Sequence, residues 1–233
     1  MTWFGRTLSA GAVVLAAWAG SAPAEAGTVA IGLQIGNGAI VTPAASIVGG
    51  LTTLSLSSMG GFGIAASGRG AVLGVSPELF ADTLATALAA AGTLRLYVSE
   101  TDIAPSPSAA PQTLASDFSA SLHTKGWTVT EATYLDAADA RYGTATPLSS
   151  ASFAASGSAG RTERVTLPDA PYALTEVFTL RAGGAGAANL AIDFGPAPLG
   201  GTIPTSQSVP EPAGPAVLAL GLAGLAAVRR RHP

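Results

Sequence analysis

The 233-residue chain is 48% hydrophobic but only 11% charged, against roughly 25% charged in an average soluble protein, and Gly, Ala, Ser and Thr take the place of the missing charge. That apolar content excludes a disordered chain, and a single lysine (Lys125) with no basic cluster in the body excludes a nucleic-acid partner. Cysteine is absent, which excludes a disulfide framework, a thiolate metal site and a cysteine nucleophile.

The chain opens with a positive residue, Arg6, then an apolar stretch from Leu8 to Ala19, then the small residues Ala22-Pro23-Ala24-Glu25-Ala26. This order is that of a cleavable signal peptide over residues 1–26, cut after Ala26 or alternatively after Ala24. The apolar stretch is shorter than the roughly 20 residues a spanning helix needs.

Residues 27–195 are expected to form one all-β domain, an antiparallel sandwich or jelly roll of eight to ten strands. Val29, Ile31, Leu33 and Ile35 share one strand face, and Asn37-Gly38 supplies a hairpin dipeptide. Further short runs bounded by Gly, Pro, Asp or Ser cover 51–56, 62–66, 94–98, 118–122, 127–135, 165–167, 172–180 and 190–194. Residues 77–91 are open to two readings. Ser76 and Pro77 suit a helix start, with Phe80, Leu84 and Leu88 at four-residue spacing before Gly92, whereas Thr83, Thr86 and the surrounding pattern favour a strand. Surface loops are expected at 105–111, 151–160 and 183–188, and a Pro/Gly/Ser/Thr linker at 196–208. The glycine-rich stretches 32–38 and 60–63 lack a strand-to-helix dinucleotide setting and suit tight turns.

Candidate chemistry in this body is sparse. His123 is the one histidine outside the ends, at a strand end beside Lys125-Gly126, and there is no G-x-S-x-G elbow to give it a serine partner. Three acidic pairs could serve glycoside hydrolysis or calcium: Glu100 with Asp102, Asp136 with Asp139, and Glu163 with Asp169. Asp136 and Asp139 are the better calcium candidates, with a charged solvated turn as the alternative; no other metal site and no cofactor is expected. Tyr97, Trp127, Tyr134 and Tyr172 would make a sugar-stacking platform if they emerged on one face, though Trp127 reads as core. The threonine pairs at 128/130 and 144/146 are too isolated for an ice-matching array.

The C-terminus runs Val209-Pro210-Glu211-Pro212, an apolar segment from Ala213 to Val228, then Arg229-Arg230-Arg231. The prolines hold Glu211 on an extended approach segment. Sixteen residues at about 1.5 Å each make a helix of about 24 Å, a weak transmembrane anchor. The arginines stay cytoplasmic, as Arg6 does, so both ends predict that the body is translocated.

This tail resembles the PEP-CTERM sorting signals of Gram-negative bacteria. The resemblance covers residues 209–233 and implies transient membrane insertion, recognition by exosortase and cleavage at or near Pro210-Glu211-Pro212. It further implies association with extracellular polysaccharide or biofilm matrix. More loosely, 93–101, 128–134 and 171–176 are similar to the bodies of other PEP-CTERM proteins, which implies a shared β-sandwich. The expected protein is therefore an exported, non-enzymatic structural or adhesive component, with signal peptidase and exosortase as partners and polysaccharide and a second copy as further ones. The alternative is a carbohydrate-binding or carbohydrate-active module, with calcium as an option.

Overall fold

The computed structural model describes residues 27–73, 76–87, 91–105 and 110–197. The signal segment with Ala24 and Ala26, the sorting motif Val209–Pro212 and the arginines Arg229, Arg230 and Arg231 lie outside the described residues, as does 198–208 of the linker.

Twelve strands follow one another: β1 (Thr28–Ile35), β2 (Ser46–Val48), β3 (Leu51–Met59), β4 (Phe62–Leu73), β5 (Ser76–Ala87), β6 (Gly92–Ile103), β7 (Gln112–Leu122), β8 (Thr128–Asp136), β9 (Thr146–Phe153), β10 (Gly157–Val165), β11 (Tyr172–Ala182) and β12 (Gly186–Pro196). They form two antiparallel sheets, β1-β6-β11-β8-β9 and β10-β7-β12-β5-β4-β3-β2. From β5 onward the chain crosses repeatedly between the sheets, as in jelly rolls. The domain is thus an all-β antiparallel sandwich.

The core lies between the sheets and follows from period-two alternation. On the small sheet, Val29, Ile31 and Leu33 of β1 stand beside Leu96 and Val98 of β6, then Phe178 and Leu180 of β11. Against them the large sheet presents Phe62 and Ile64 of β4, Leu79 of β5, Phe118 of β7, and Ile192 and Phe194 of β12.

Residues 76–87 are strand, and no helix occurs among the described residues. The reason is visible in burial: Leu79, Ala81, Thr83, Ala85 and Ala87 alternate inward, so period two overrides the four-residue spacing of Phe80 and Leu84, which stand on the outer face. The loop expected over 151–160 is instead the end of β9 and the start of β10, joined through 154–156, and β10 ends at Val165 where a strand was expected to begin. Both are outermost strands with little to bury, so neither shows apolar alternation. Asn37-Gly38 turns the chain, with Gly38 N donating to Ile35 O at 3.0 Å, but only Val41 returns to bridge Leu33, and β1 pairs with β6. The positive φ of Gly60 and Gly61 makes the β3–β4 turn expected of that glycine-rich stretch.

Candidate functional site

The acidic pairs separate. Glu100 points between the sheets and is fully buried, whereas Asp102, at φ 60 where the β6–β11 register shifts near the end of β6, is exposed. Asp102 does meet Asp139, whose Oδ1 accepts its backbone N–H at 2.9 Å. Asp136 is buried, its Oδ1 accepts Ala138 N–H at 2.8 Å, and its carboxylate packs against Gly143. The 136/139 pair therefore staples the β8–β9 loop by capping backbone donors. Among the described residues no group of three acidic or histidine side chains is spaced to hold a metal ion. Glu163 and Asp169 are both exposed. His123 is exposed too, with Nε2 3.3 Å from Asn189 Nδ2.

Two of the four aromatics lie between the sheets and two on the outer face of the small sheet, where Tyr97 is nevertheless buried at 8% exposure. Trp127 and Tyr172 are each 1% exposed and belong to the core; Trp127 Nε1 donates to Gly184 O at 3.1 Å. Tyr97 and Tyr134 stand on the outer face of the small sheet, on either side of β11, opposite Val177 and Thr175 respectively. A third tyrosine joins them that sequence reasoning passed over. Tyr142, from the β8–β9 loop, folds back across this face and sits with its ring 5.9 Å from that of Tyr97 at 54°.

The local sequence makes this reach possible. Gly32 of β1 lies directly beneath the Tyr142 ring, where a Cβ would stand 2.7 Å from Cζ, so only glycine admits it. Tyr142 N–H donates to Ser99 Oγ at 3.1 Å, Thr175 Oγ1 donates to the same oxygen at 3.0 Å, and the Tyr142 hydroxyl meets Thr42 Oγ1 at 3.0 Å. At the other border, Gln34 Oε1 accepts from Tyr97 Oη at 2.9 Å and from Arg95 Nη1 at 3.1 Å. Burial, only partly countered by Arg95, holds the Tyr97 phenol above its ordinary range, so it stays a neutral donor.

Among the described residues the three non-glycine residues with positive φ are Asp139 and Tyr142 of the β8–β9 loop and Asp102 of β6, which that loop touches through Asp139. A tyrosine in the left-handed region is costly, by about 1–3 kcal/mol, and persists only where its surroundings hold it. Here Ser99, Thr42 and Gly32 hold it. The result is a polar, aromatic patch of Tyr97, Tyr134, Tyr142, Arg95, Gln34 and Thr42, bordered by residues 36–42 and by the β8–β9 loop.

Two other acidic groupings also escaped sequence reasoning. Glu131 and Glu176 join Glu100 between the sheets, at 0%, 1% and 0% exposure respectively. On the outer face of the large sheet Asp117 and Asp193 are direct neighbours, with Glu78 and Asp82 on β5 beyond; lost solvation first, then these three acids, push Asp193 up to about 6.

No family model matches the chain, and no curated protein matches it. Among solved structures it is similar to a carbohydrate-binding module, CBM6cm-2 of Cellvibrio mixtus lichenase 5A in complex with cellotriose. The match covers 66% of this chain and 92% of that one, at 10% identity and a TM-score of 0.26.

Proposed function

We propose that the chain is exported, freed of its signal segment after Ala26, sorted by exosortase at Pro210-Glu211-Pro212, and delivered as a polysaccharide-binding structural or adhesive domain of the cell surface or matrix. The reading assigns it no catalysis: Glu100, Glu131 and Glu176 are sealed between the sheets, and the lone body histidine faces Asn189.

The observation that carries the binding role is the tyrosine patch. Aromatic faces stack on the apolar C–H faces of sugar rings, and flat polar groups such as Gln and Arg hydrogen-bond ring hydroxyls. Tyr142 and Tyr134 offer half-buried rings on this sheet face beside Gln34 and Arg95, Tyr97 being itself buried, and strain is spent to hold Tyr142 there. Tyr142→Ala is expected to weaken retention on exopolysaccharide from the producing cells by about tenfold in affinity electrophoresis, with Tyr142→Phe close to wild type. Equal retention of the alanine variant would remove the patch as the binding face. Export is tested by mass spectrometry of both mature termini in cells with and without exosortase. A product that keeps Arg229–Arg231 in exosortase-positive cells would defeat the sorting claim.

Self-association belongs to the same reading. Residues 27–68 carry no Asp, Glu, Lys, Arg or His, and the exposed Ile47 and Val48 stand on β2, an outermost strand paired only with β3, with the exposed Leu51 opposite Val48. Edges of soluble sheets are ordinarily guarded by charge. The body as a whole is acidic, so two copies repel except at this uncharged edge, where β2 can pair with β2. In sedimentation, Ile47→Lys is expected to shift a concentration-dependent dimer to monomer. A wild-type protein that stays monomeric throughout would count against the edge.

A further inference from the structure

Gly27 stands one residue before β1, and its backbone nitrogen donates to Glu100 Oε1 at 2.9 Å. Glu100 is fully buried on the inner face of β6, and its second oxygen, Oε2, has no hydrogen-bond partner. Gly70 of β4 faces its carboxylate across the gap between the sheets, so close that a Cβ at position 70 would overlap it. The titratable neighbours are Tyr172 and Glu176, and neither brings positive charge. Among the described residues no arginine or lysine pairs with Glu100. A buried carboxylate with one neutral donor and no cation is expensive in its charged form.

Position 27 is also shaped for this contact. A Cβ there would lie 2.9 Å from Glu100 Cγ and closer still to Thr101 O, so glycine alone lets the nitrogen reach the carboxylate. As part of an unbroken chain that nitrogen is a neutral amide. It becomes an amine if the chain is cut immediately before it.

We propose that Gly27 is the first residue of the mature protein and that its α-ammonium is the counter-ion of Glu100, so that removal of the signal segment completes the core. The inference rests on the export reading and sharpens it, because it selects Ala26 over Ala24 as the cut. Hydrolysis of the Ala26–Gly27 bond consumes one water: the hydroxyl goes to the Ala26 carbonyl carbon and the hydrogen to the Gly27 nitrogen, which takes one further proton from solvent. The single donor at 2.9 Å becomes a charged group with three protons, and a buried acid acquires a charge-assisted hydrogen bond. A cut after Ala24 would leave Glu25-Ala26 ahead of Gly27, keep its nitrogen an amide and add a carboxylate nearby.

The test uses the exported protein. Mass spectrometry is expected to give Gly27 as the first residue. The amines are then reductively ¹³C-methylated and titrated by NMR; with Lys125 the only lysine, two resonances suffice. The α-amine is expected to titrate about one pH unit or more above its ordinary value near 8, and to return to that value in Glu100→Gln. Gly27 as first residue with an unshifted amine overturns the pairing and leaves the export reading standing. Retention of residues 1–26 overturns both. A shift that survives in Glu100→Gln also overturns the pairing, since the raised value would then come from another acid.

Discussion

Raising the pH from about 5 to about 8 is expected to weaken the folded domain by roughly 4 kcal/mol through Glu131 alone, read as a falling urea midpoint. Glu131 sits on β8, opposite Phe178 and Ala151 of the neighbouring strands, with both carboxylate oxygens buried and without partners. Burial pushes it up to about 9; the Ser119 backbone draws it down slightly without closing a hydrogen bond. In the unfolded chain the same side chain titrates near its ordinary 4.5. Between those two values the folded state holds a proton that the unfolded state has lost. Stability from this group is therefore complete below about pH 4.5, falls as pH rises, and levels off above about pH 9.

Glu176 acts in the same direction. It lies on β11 between the strands bearing Glu100 and Glu131, and burial first, then Asp193, Asp82, Glu131 and Glu100, hold it far above the carboxylate range. Glu176, buried and flanked by Glu100 and Glu131, is tolerable there only as the neutral acid. Glu131→Gln keeps the shape and removes the titration, so its urea midpoint is expected to lie above wild type at about pH 8 and to match it near pH 5. A wild-type midpoint that stays level or climbs over this range would mean that the interior carboxyls are ionised and paired.

These acids were open to sequence reasoning and were overlooked for a physical reason. Alternation puts Val129, Glu131, Thr133 and Leu135 on one face, and Leu174, Glu176, Phe178 and Leu180 on another. The pattern that located β8 and β11 thus already turns both glutamates inward. The habit of placing charge outside hid them, although burial is tolerable for a carboxyl that keeps its proton. The sandwich itself was legible wherever a strand had one buried face, as β1, β3 and β7 do. It was not legible at β2, β9 and β10, whose burial is too slight to imprint a period. The tyrosine patch was half legible. Tyr97 and Tyr134 lie on recognisable strands, but their sharing one face depends on β11 lying between β6 and β8, and the meeting of Tyr97 with Tyr142 on a loop that returns over Gly32. Neither is a local property of the chain. The Asp102–Asp139 contact likewise spans 37 residues.

Trp127 separates core from binding face most sharply. Trp127→Ala is expected to cost about 3–5 kcal/mol, the second largest effect anticipated for this domain. The indole is 1% exposed at the entry to β8 and packs with the buried core, so its loss leaves a cavity that the flanking strands cannot close. Its Nε1–H also ties the β7–β8 connection to Gly184, and Gly183 lies close enough to Gly126 O that a Cβ there would stand 2.8 Å away. One side chain therefore clamps two turns at the same end of the sandwich, and Trp127→Phe, which keeps much of the ring but not the hydrogen bond, should recover most of the loss. Polysaccharide retention, measured in the cold where the alanine variant remains folded, is expected to match wild type, the reverse of Tyr142→Ala. If Trp127→Ala instead kept its stability and lost retention, the sugar would bind at the Trp127 end, and the outer face of the small sheet would be left with a structural role.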